Sequence, residues 1–257
     1  MPRIESFTDG MPSWPELFTT DKKKAMEFYG PLFGWTEREG GEDLGFYSTL
    51  FKGDDIVAGM NQKGAEAQAI PDMWTVYFQS SDATATAALA QDAGGQIYMA
   101  PMPVADLGSM CLIADPTGAA VGLWQPGTHK GYAIWGEPGA PMWFELMTHD
   151  LDAAKPFYAT IFGNPVVDQE MAPGEPGYAT IRVNNEAVAG LMGAGSWLPA
   201  DVPAHWRVYF GVEDCRAAVK QVQQLGGAVL TDPTDSPFGT VATVADPFGA
   251  TFVILST

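Results

Sequence analysis

The chain has 257 residues, of which 46% are hydrophobic, so it can bury one large core or two of ordinary size. Its formal net charge of -18 repels nucleic acid and anionic membranes, and we expect neither as a partner. No apolar run reaches the roughly 20 residues that span a bilayer, and the first residues lack the regions of a signal peptide, which predicts a cytoplasmic protein. Only two cysteines occur, Cys111 and Cys215, so a disulfide framework is excluded.

The first half of the chain alternates strands with two helices. Asp21 is placed to cap a first helix, and Ser81 or Asp82 to cap a second one, which a Gly-Gly pair ends. An Asp-Pro-Thr-Gly turn separates the last two strands. The predicted strands lie at residues 14–20, 45–53, 54–60, 73–81, 96–101, 109–116 and 119–125.

An internal repeat spans nearly the whole chain. Residues 12–34 align without a gap on residues 141–163, and eleven of these 23 positions are identical. Further matches follow in the same order, pairing 56–60 with 187–191, 74–78 with 206–210 and 114–119 with 245–250. We therefore predict two homologous domains, residues 1–126 and 141–257, joined by a linker at 127–140.

The repeated order of strand, helix and three strands, closed by an Asp-Pro-x-Gly turn and a final strand, resembles the vicinal-oxygen-chelate superfamily of glyoxalases, bleomycin-resistance proteins and dioxygenases. Blocks such as TTDKKKAMEFYGPLFGW and ADPTGAAVGLWQ carry the resemblance, and both recur in the second copy. More narrowly, the chain resembles two-domain actinobacterial members described as an antigen or as accessory hydroxylases of anthracycline biosynthesis. The resemblance implies an α+β fold. Two βαβββ motifs of each copy would form a U-shaped eight-stranded sheet, with helices on the convex face and ligand in the concave face.

The resemblance also implies four concave positions per copy at which this superfamily holds a metal ion. In this sequence they are occupied by Trp14, Gly59, Thr75 and Gly122 in copy one, and by Trp143, Gly190, Arg207 and Val253 in copy two. Divalent metal sites are built from His, Cys and carboxylates, none of which stands there. We therefore predict no metal ion and no cofactor, with a new site at His149 and Glu145 as the remaining alternative.

Side chains alternate along a strand, so Trp14 and Glu16 lie on one face of the sheet. The same alternation places their counterparts in copy two, and every second residue of the fifth and eighth strands, on the concave face. The candidate ligand-binding residues are Trp14, Glu16, Thr75, Tyr77, Trp124, Trp143, Glu145, His149, Arg207 and Tyr209. Trp74 and Trp206 have the opposite parity and should face the helices. Aromatic rings with a few polar groups suit a planar, partly polar organic molecule. The alternative is that these rings simply fill the concave face.

Copy two favours a pocket, because Arg207 there replaces Thr75. Arg207 is expected to form a charge-assisted, bidentate pair with Glu145, or to bind a carboxylate or phenolate of a ligand. Glu16 lacks such a partner, so desolvation should raise its pKa and make it available for proton transfer.

Two functions therefore stay open. The first is metal-independent binding of a small planar organic molecule. The second is a metal-independent accessory hydroxylase, isomerase or lyase on a small carbonyl or polyketide-like metabolite, with Glu16 or Glu145 as the catalytic base and Tyr77 or Tyr209 as proton donor. The missing ligands count against a glyoxalase or dioxygenase. The expected partner is a small molecule, and the chain is predicted to be a monomer or a weak homodimer, because the two copies can satisfy each other's pairing.

Overall fold

The computed structural model describes residues 3–257, which contain seventeen strands and four helices. The strands of the first copy are β1 (Pro12–Thr19), β2 (Trp35–Glu39), β3 (Ser48–Lys52), β4 (Asp55–Gln62), β5 (Met73–Gln79), β6 (Gln96–Val104), β7 (Gly108–Ala114) and β8 (Ala120–Pro126). Those of the second are β9 (Pro141–Thr148), β10 (Val166–Gln169), β11 (Gly177–Val183), β12 (Glu186–Gly193), β13 (His205–Gly211), β14 (Ala228–Val229), β15 (Thr234–Ser236), β16 (Gly239–Ala245) and β17 (Thr251–Ser256). The helices are α1 (Lys22–Phe33), α2 (Ala83–Asp92), α3 (Leu151–Phe162) and α4 (Cys215–Gln224).

Each copy of the repeat forms its own sheet. The strand orders are β2-β3-β4-β1-β5-β8-β7-β6 and β10-β11-β12-β9-β13-β17-β16-β14, with β15 paired to β16 as a ninth strand. The first strands of the two βαβββ motifs pair antiparallel at the centre, β1 with β5 and β9 with β13. The predicted α+β fold, with two βαβββ motifs in each copy of the repeat, is confirmed. The sequence did not locate β2, which is mostly charged, or the three-residue β15.

The helices begin and end where local chemistry dictates. Asp21 accepts a hydrogen bond from the Lys24 amide at 3.1 Å and caps α1, and Gly34 ends it in the left-handed conformation at φ 72°. Asp82 caps α2, because its carboxylate bonds the third amide beyond it, whereas the Ser81 hydroxyl turns to another carboxylate. None of the helices within residues 3–257 is long and apolar enough to cross a bilayer.

The two sheets pack against each other through the faces that also carry the helices. The rings of Trp74 and Phe210 lie 5.0 Å apart, and those of Phe78 and Trp206 lie 4.9 Å apart. Both tryptophans face the helices and the core, as strand parity predicts. Helix α1 of the first copy also packs on β17 of the second. The apolar residues of the two copies therefore form one continuous core.

The segment between β8 and β9 is packed into this structure along its length. Tyr132 and Ile134 are buried, and the Tyr132 hydroxyl donates to the Pro12 carbonyl at 3.1 Å. Further along, the Trp35 indole N–H donates to the Gly139 carbonyl at 2.7 Å. The connection thus contributes to the core and fixes how the two copies meet.

Candidate functional site

On the face of each sheet turned away from the helices, aromatic and charged side chains converge. We call the group in the first copy cup one; it consists of Trp14, Glu16, Tyr47, Thr75 and Tyr77. Cup two, in the second copy, consists of Trp143, Glu145, Tyr178, Arg207 and Tyr209. Strand register builds both groups in the same way, since the fifth-strand partner of each Trp is a Tyr and the partner of each Glu is Thr75 or Arg207. The predicted concave residues of these strands are therefore brought together in each copy.

Glu145 stands at the centre of cup two, and only 3% of its surface is exposed. Tyr178 donates to Oε1 at 3.0 Å, and Tyr209 donates to Oε2 at 2.7 Å. Arg207 donates through Nη2 to Oε2 and to the Tyr209 hydroxyl, and Trp143 donates to the Tyr178 hydroxyl at 3.0 Å. The predicted ion pair is present, but the predicted bidentate geometry is wrong: Arg207 reaches only Oε2, and Oε1 accepts from Tyr178.

The electrostatics of cup two keep its donors protonated. Burial, the largest single effect, would lower the pKa of Arg207, but the charge and hydrogen bond of Glu145 together with the neighbouring Tyr209 and Tyr178 outweigh it, so the pKa is raised. Burial, together with the Glu145 charge, raises the pKa of both Tyr178 and Tyr209 far above neutrality. Cup two is therefore a fixed set of donors arranged around one carboxylate.

Cup one has the same frame without the arginine. The Trp14 indole donates to the Tyr47 hydroxyl at 2.9 Å, and the Tyr77 hydroxyl donates to Glu16 at 3.3 Å. Thr75 stands opposite Glu16 and supplies no charge. Burial raises the pKa of Glu16 by more than hydrogen bonds from Tyr47 and Tyr77 lower it, as the sequence predicts. Glu16 thus takes up a proton at a higher pH than an exposed glutamate does.

Cup one is also more tightly filled than cup two. Trp14 and Trp124 are 4% and 7% exposed, and the His129 ring from the segment after β8 packs edge-on against Trp14 at 4.3 Å. Trp124 donates to the His129 carbonyl at 3.1 Å, which fixes this arrangement. Burial lowers the pKa of His129 to about 4, so the imidazole is neutral at neutral pH. Trp143, the counterpart of Trp14, is only half-buried. The indole of cup two is therefore more exposed than the indole of cup one.

Two glycines make room for the indoles. A Cβ atom on Gly59 would overlap the Tyr47 hydroxyl and crowd Trp14, and one on Gly190 would overlap the Tyr178 hydroxyl and crowd Trp143 in the same way. Both glycines stand at inherited ligand positions of the fourth strand of their copy. A metal-ligating side chain at either position would thus displace the indole and the tyrosine that occupy the cup.

The donor set does not fit a divalent metal ion. The eight inherited positions hold Trp, Gly, Thr, Arg and Val side chains, none of which is a usual ligand. Across residues 3–257, no three His, Cys, Asp or Glu side chains converge into a metal-binding group. His149 is exposed at the end of β9, with Nε2 2.9 Å from the Val202 carbonyl. It makes no hydrogen bond to Glu145 within the described structure, so this pair does not form the alternative site.

Two members of the cups, and one residue that packs on cup one, were missed by the sequence analysis. Tyr47 and Tyr178 occupy matching places in the repeat, 131 residues apart and just after a glycine-containing turn or at a strand start. Extending the repeat alignment to that block would have found them. His129 has no such signal, because only the folded path of residues 127–132 brings its ring onto Trp14.

Two surface cavities lie outside the cups. One of about 300 Å³ lies between the copies and is lined in part by Lys52, and one of about 320 Å³ is lined in part by Lys22. Lys52 already pairs with Glu137 at 3.0 Å, and Lys22 with Glu39 at 2.7 Å. The lysines that line these cavities are therefore engaged within the protein.

A curved sheet of two βαβββ motifs with converging side chains in its concave face defines a vicinal-oxygen-chelate protein. The chain belongs to the Glyoxalase/Bleomycin resistance protein/Dioxygenase superfamily, whose family model matches residues 12–123 and 141–254.

Known proteins resemble the chain over nearly its full length. It is 34% identical to the anthracycline biosynthesis protein DauV of Streptomyces sp. (strain C5), covering 97% of this chain and 94% of that protein. It is 35% identical to CFP32 of Mycobacterium tuberculosis, a protein named as a glyoxylase. This match covers 99% of this chain and 98% of that protein. The fold is also similar to that of the 2,3-dioxygenase LapB from Pseudomonas sp. KL28, with a TM-score of 0.66 and 15% identity. The match covers 98% of this chain and 94% of LapB.

Proposed function

We propose that this protein binds a small planar organic molecule in cup two without a metal ion. The observation that carries the proposal is the difference between the cups: Trp143 is half-buried beside the Glu145–Arg207 pair, whereas Trp14 is buried under His129. An accessible indole supplies apolar contact area, and a few fixed polar groups orient the ligand. Cup two combines both features.

The side chains of cup two support binding rather than chelation. Trp143 and Arg207 stand where the superfamily places metal ligands, and neither an indole nor a charged guanidinium coordinates a divalent metal ion. Both can instead contact an aromatic ring system and its oxygen substituents. Cup two thus uses the inherited ligand positions to contact an organic molecule directly.

The relatives support the chemical class of the ligand. The name of DauV assigns that relative to anthracycline biosynthesis, and anthracyclines are planar polycyclic aromatic compounds. We therefore propose that this chain binds an aromatic polyketide or a similarly flat, oxygen-substituted ring system. The indole of Trp143 would stack against such a ring.

Calorimetric titration tests the proposal. The probes are naphthalenemethanol, anthraquinone and an anthracycline, each titrated into the protein in buffer with and without a chelator. The proteins compared are wild type, Trp143→Leu and the matched cup-one variant Trp14→Leu. At least one probe should bind wild type, and Trp143→Leu should weaken it about tenfold while Trp14→Leu lowers stability and leaves affinity within about twofold. Loss of binding in the chelator, or equal loss in both variants, would contradict the proposal.

A second function is favoured by one observation in cup one. Burial raises the pKa of Glu16, and the Tyr77 hydroxyl lies 3.3 Å from it, an arrangement that suits general acid or base catalysis on a carbonyl metabolite. Turnover would be followed by mass spectrometry of the same probes after incubation. Product formation lost in Glu16→Gln and retained in Glu145→Gln supports this function, and no product with any probe argues against it.

A further inference from the structure

The proposed binding in cup two leads to a statement about the ligand itself. We propose that the ligand carries an anionic oxygen on its ring system, as a carboxylate, phenolate or enolate, and that Arg207 binds this oxygen. The inference rests on the proposed function of cup two and adds the polar group that a ligand must present there.

The guanidinium of Arg207 has more donors than the protein uses. Of its five N–H groups, the two on Nη2 are directed to Glu145 and to the Tyr209 hydroxyl. Nε is buried and has no partner. Nη1 likewise has no acceptor among the residues that the structure describes, and it is open to solvent. The buried Nε donor is therefore unsatisfied, and the two Nη1 donors have no acceptor from the described part of the protein.

Unsatisfied donors on a mostly buried cation are costly, and more than nine in ten buried polar groups in proteins are bonded. The Arg207 side chain is 15% exposed, so water can satisfy these donors only in part. A ligand oxygen at Nη1 would supply an acceptor that the protein itself does not. A neutral oxygen can also accept from a guanidinium, but an anionic oxygen adds the attraction between opposite charges and therefore suits this site best.

Glu145 holds the guanidinium in place without satisfying it. Its carboxylate accepts from Tyr178, Tyr209 and Arg207, and the arginine reaches it through Nη2 alone. Nη1 takes no part in the ion pair and keeps its donors for another acceptor. The chain as a whole carries a net charge of -18, so an anion needs a local cation of this kind to bind at all.

Cup one provides an internal comparison. Thr75 stands at the register position of Arg207, opposite Glu16, and a threonine hydroxyl carries no charge. An anionic ring compound should therefore distinguish the two cups, whereas a neutral one of the same shape should not gain from Arg207. The preference for anions is assigned to cup two alone.

The test compares naphthoate, acetylnaphthalene and naphthalenemethanol, substituted at the same ring position, by calorimetry at neutral pH. Naphthoate should bind wild type about ten- to a hundredfold more tightly than the alcohol, with the neutral ketone close to the alcohol. In Arg207→Gln this preference should fall to within about threefold. Arg216→Gln, which removes an exposed arginine from α4 of the same domain, should retain it.

Arg207→Gln leaves Glu145 without its cation, so the variant could lose its fold. The double variant Glu145→Gln/Arg207→Gln has no buried charge left unpaired and should show the same loss of preference. If the alcohol binds and naphthoate gains nothing, or the ketone binds as tightly as naphthoate, the inference is overturned while the proposed function stands. If none of the three probes binds although anthraquinone or the anthracycline does, the inference alone is overturned. If those two compounds also fail to bind, the proposed function fails together with the inference.

Discussion

The hydroxyl of Tyr29, in helix α1 of the first copy, donates a hydrogen bond to Asp246 of the second copy, with 3.1 Å between Oη and Oδ2. Trp74 donates in turn to the Tyr29 hydroxyl at 3.0 Å. The equivalent contact runs in the other direction: Tyr158 of the second copy donates to Asp115 of the first copy at 2.9 Å. Each aspartate also bonds backbone amides of its own Asp-Pro-x-Gly turn. Each copy thus anchors a helix to the closing turn of the other.

These two contacts between the copies predict that the copies unfold together. Tyr29→Phe leaves the Trp74 N–H and an Asp246 oxygen unpaired in the core, which should lower the free energy of unfolding by about 1 to 3 kcal/mol. Tyr98→Phe changes an exposed tyrosine and should have no effect. Urea denaturation followed by circular dichroism and by tryptophan fluorescence should give one coincident transition in wild type. Two separate transitions, or an unchanged midpoint in Tyr29→Phe, would contradict the shared core.

Sequence patterns correctly predicted those features of the structure that depend on local periodicity. Strand parity predicted that Trp14 and Glu16 share a face, and the repeat carried this to Trp143 and Glu145, because side chains alternate along any strand. The contact between Tyr29 and Asp246 joins residues 217 positions apart. No local pattern encodes such a contact, since it depends on how the two sheets pack.

Other features were missed for different physical reasons. Strand β2 reads Trp-Thr-Glu-Arg-Glu and is exposed after its first residue, so it lacks the alternation that marks a half-buried strand. The single bond between Arg207 and Glu145 could not be predicted without Tyr178, which competes for the carboxylate. The closure of cup one depends on the path of the chain at His129, which composition does not reveal.

Two glycines, one in cup two and one in helix α1, predict opposite effects of substitution by alanine. Gly190→Ala places a methyl group onto the Tyr178 hydroxyl and against Trp143, and this overpacking should cost about 1 to 3 kcal/mol and abolish probe binding. Gly30→Ala, within α1, meets its nearest atom, the Trp35 carbonyl oxygen, at 3.4 Å. It should raise stability by about 0.5 to 1 kcal/mol. Thermal unfolding measures the stability of both variants, and titration with naphthalenemethanol measures their binding. A Gly190→Ala protein that is as stable as wild type and binds normally would contradict the cup geometry.

Glu16 predicts a specific pH dependence of stability. Burial, more than any other effect, raises the pKa of Glu16 in the folded protein above that of an exposed glutamate, as in the unfolded chain. Between these two values the folded state binds more protons than the unfolded state, so the free energy of unfolding falls as pH rises through this window. Glu16→Gln removes this loss and should be more stable than wild type at neutral pH, with the difference vanishing in acid.

The measurement is urea denaturation across the acid-to-neutral range. Glu27→Gln, an exposed change on α1, is the matched control and should follow wild type at every pH. If Glu16→Gln were less stable than wild type at neutral pH, the glutamate would be stabilised as an anion in cup one, contrary to its burial.

The donor set of the cups predicts indifference to divalent metals. Adding zinc or manganese, or a chelator, should leave the melting temperature of wild type unchanged, because a ligand stabilises the folded state only if it binds it. The triple variant Trp143→His/Arg207→His/Val253→Glu introduces two imidazoles and a carboxylate at inherited positions and should be stabilised by metal. A metal-dependent shift in wild type that the chelator reverses would show that a cup holds an ion.

The most direct test of metal-free binding in cup two is a crystal structure of the protein with naphthoate, grown in the presence of a chelator. We expect the naphthalene ring against Trp143 and its carboxylate within hydrogen-bonding distance of Nη1 of Arg207, with no metal ion in contact with the ligand. Density for the ring only outside cup two, or a transition metal bound at either cup, would contradict the account.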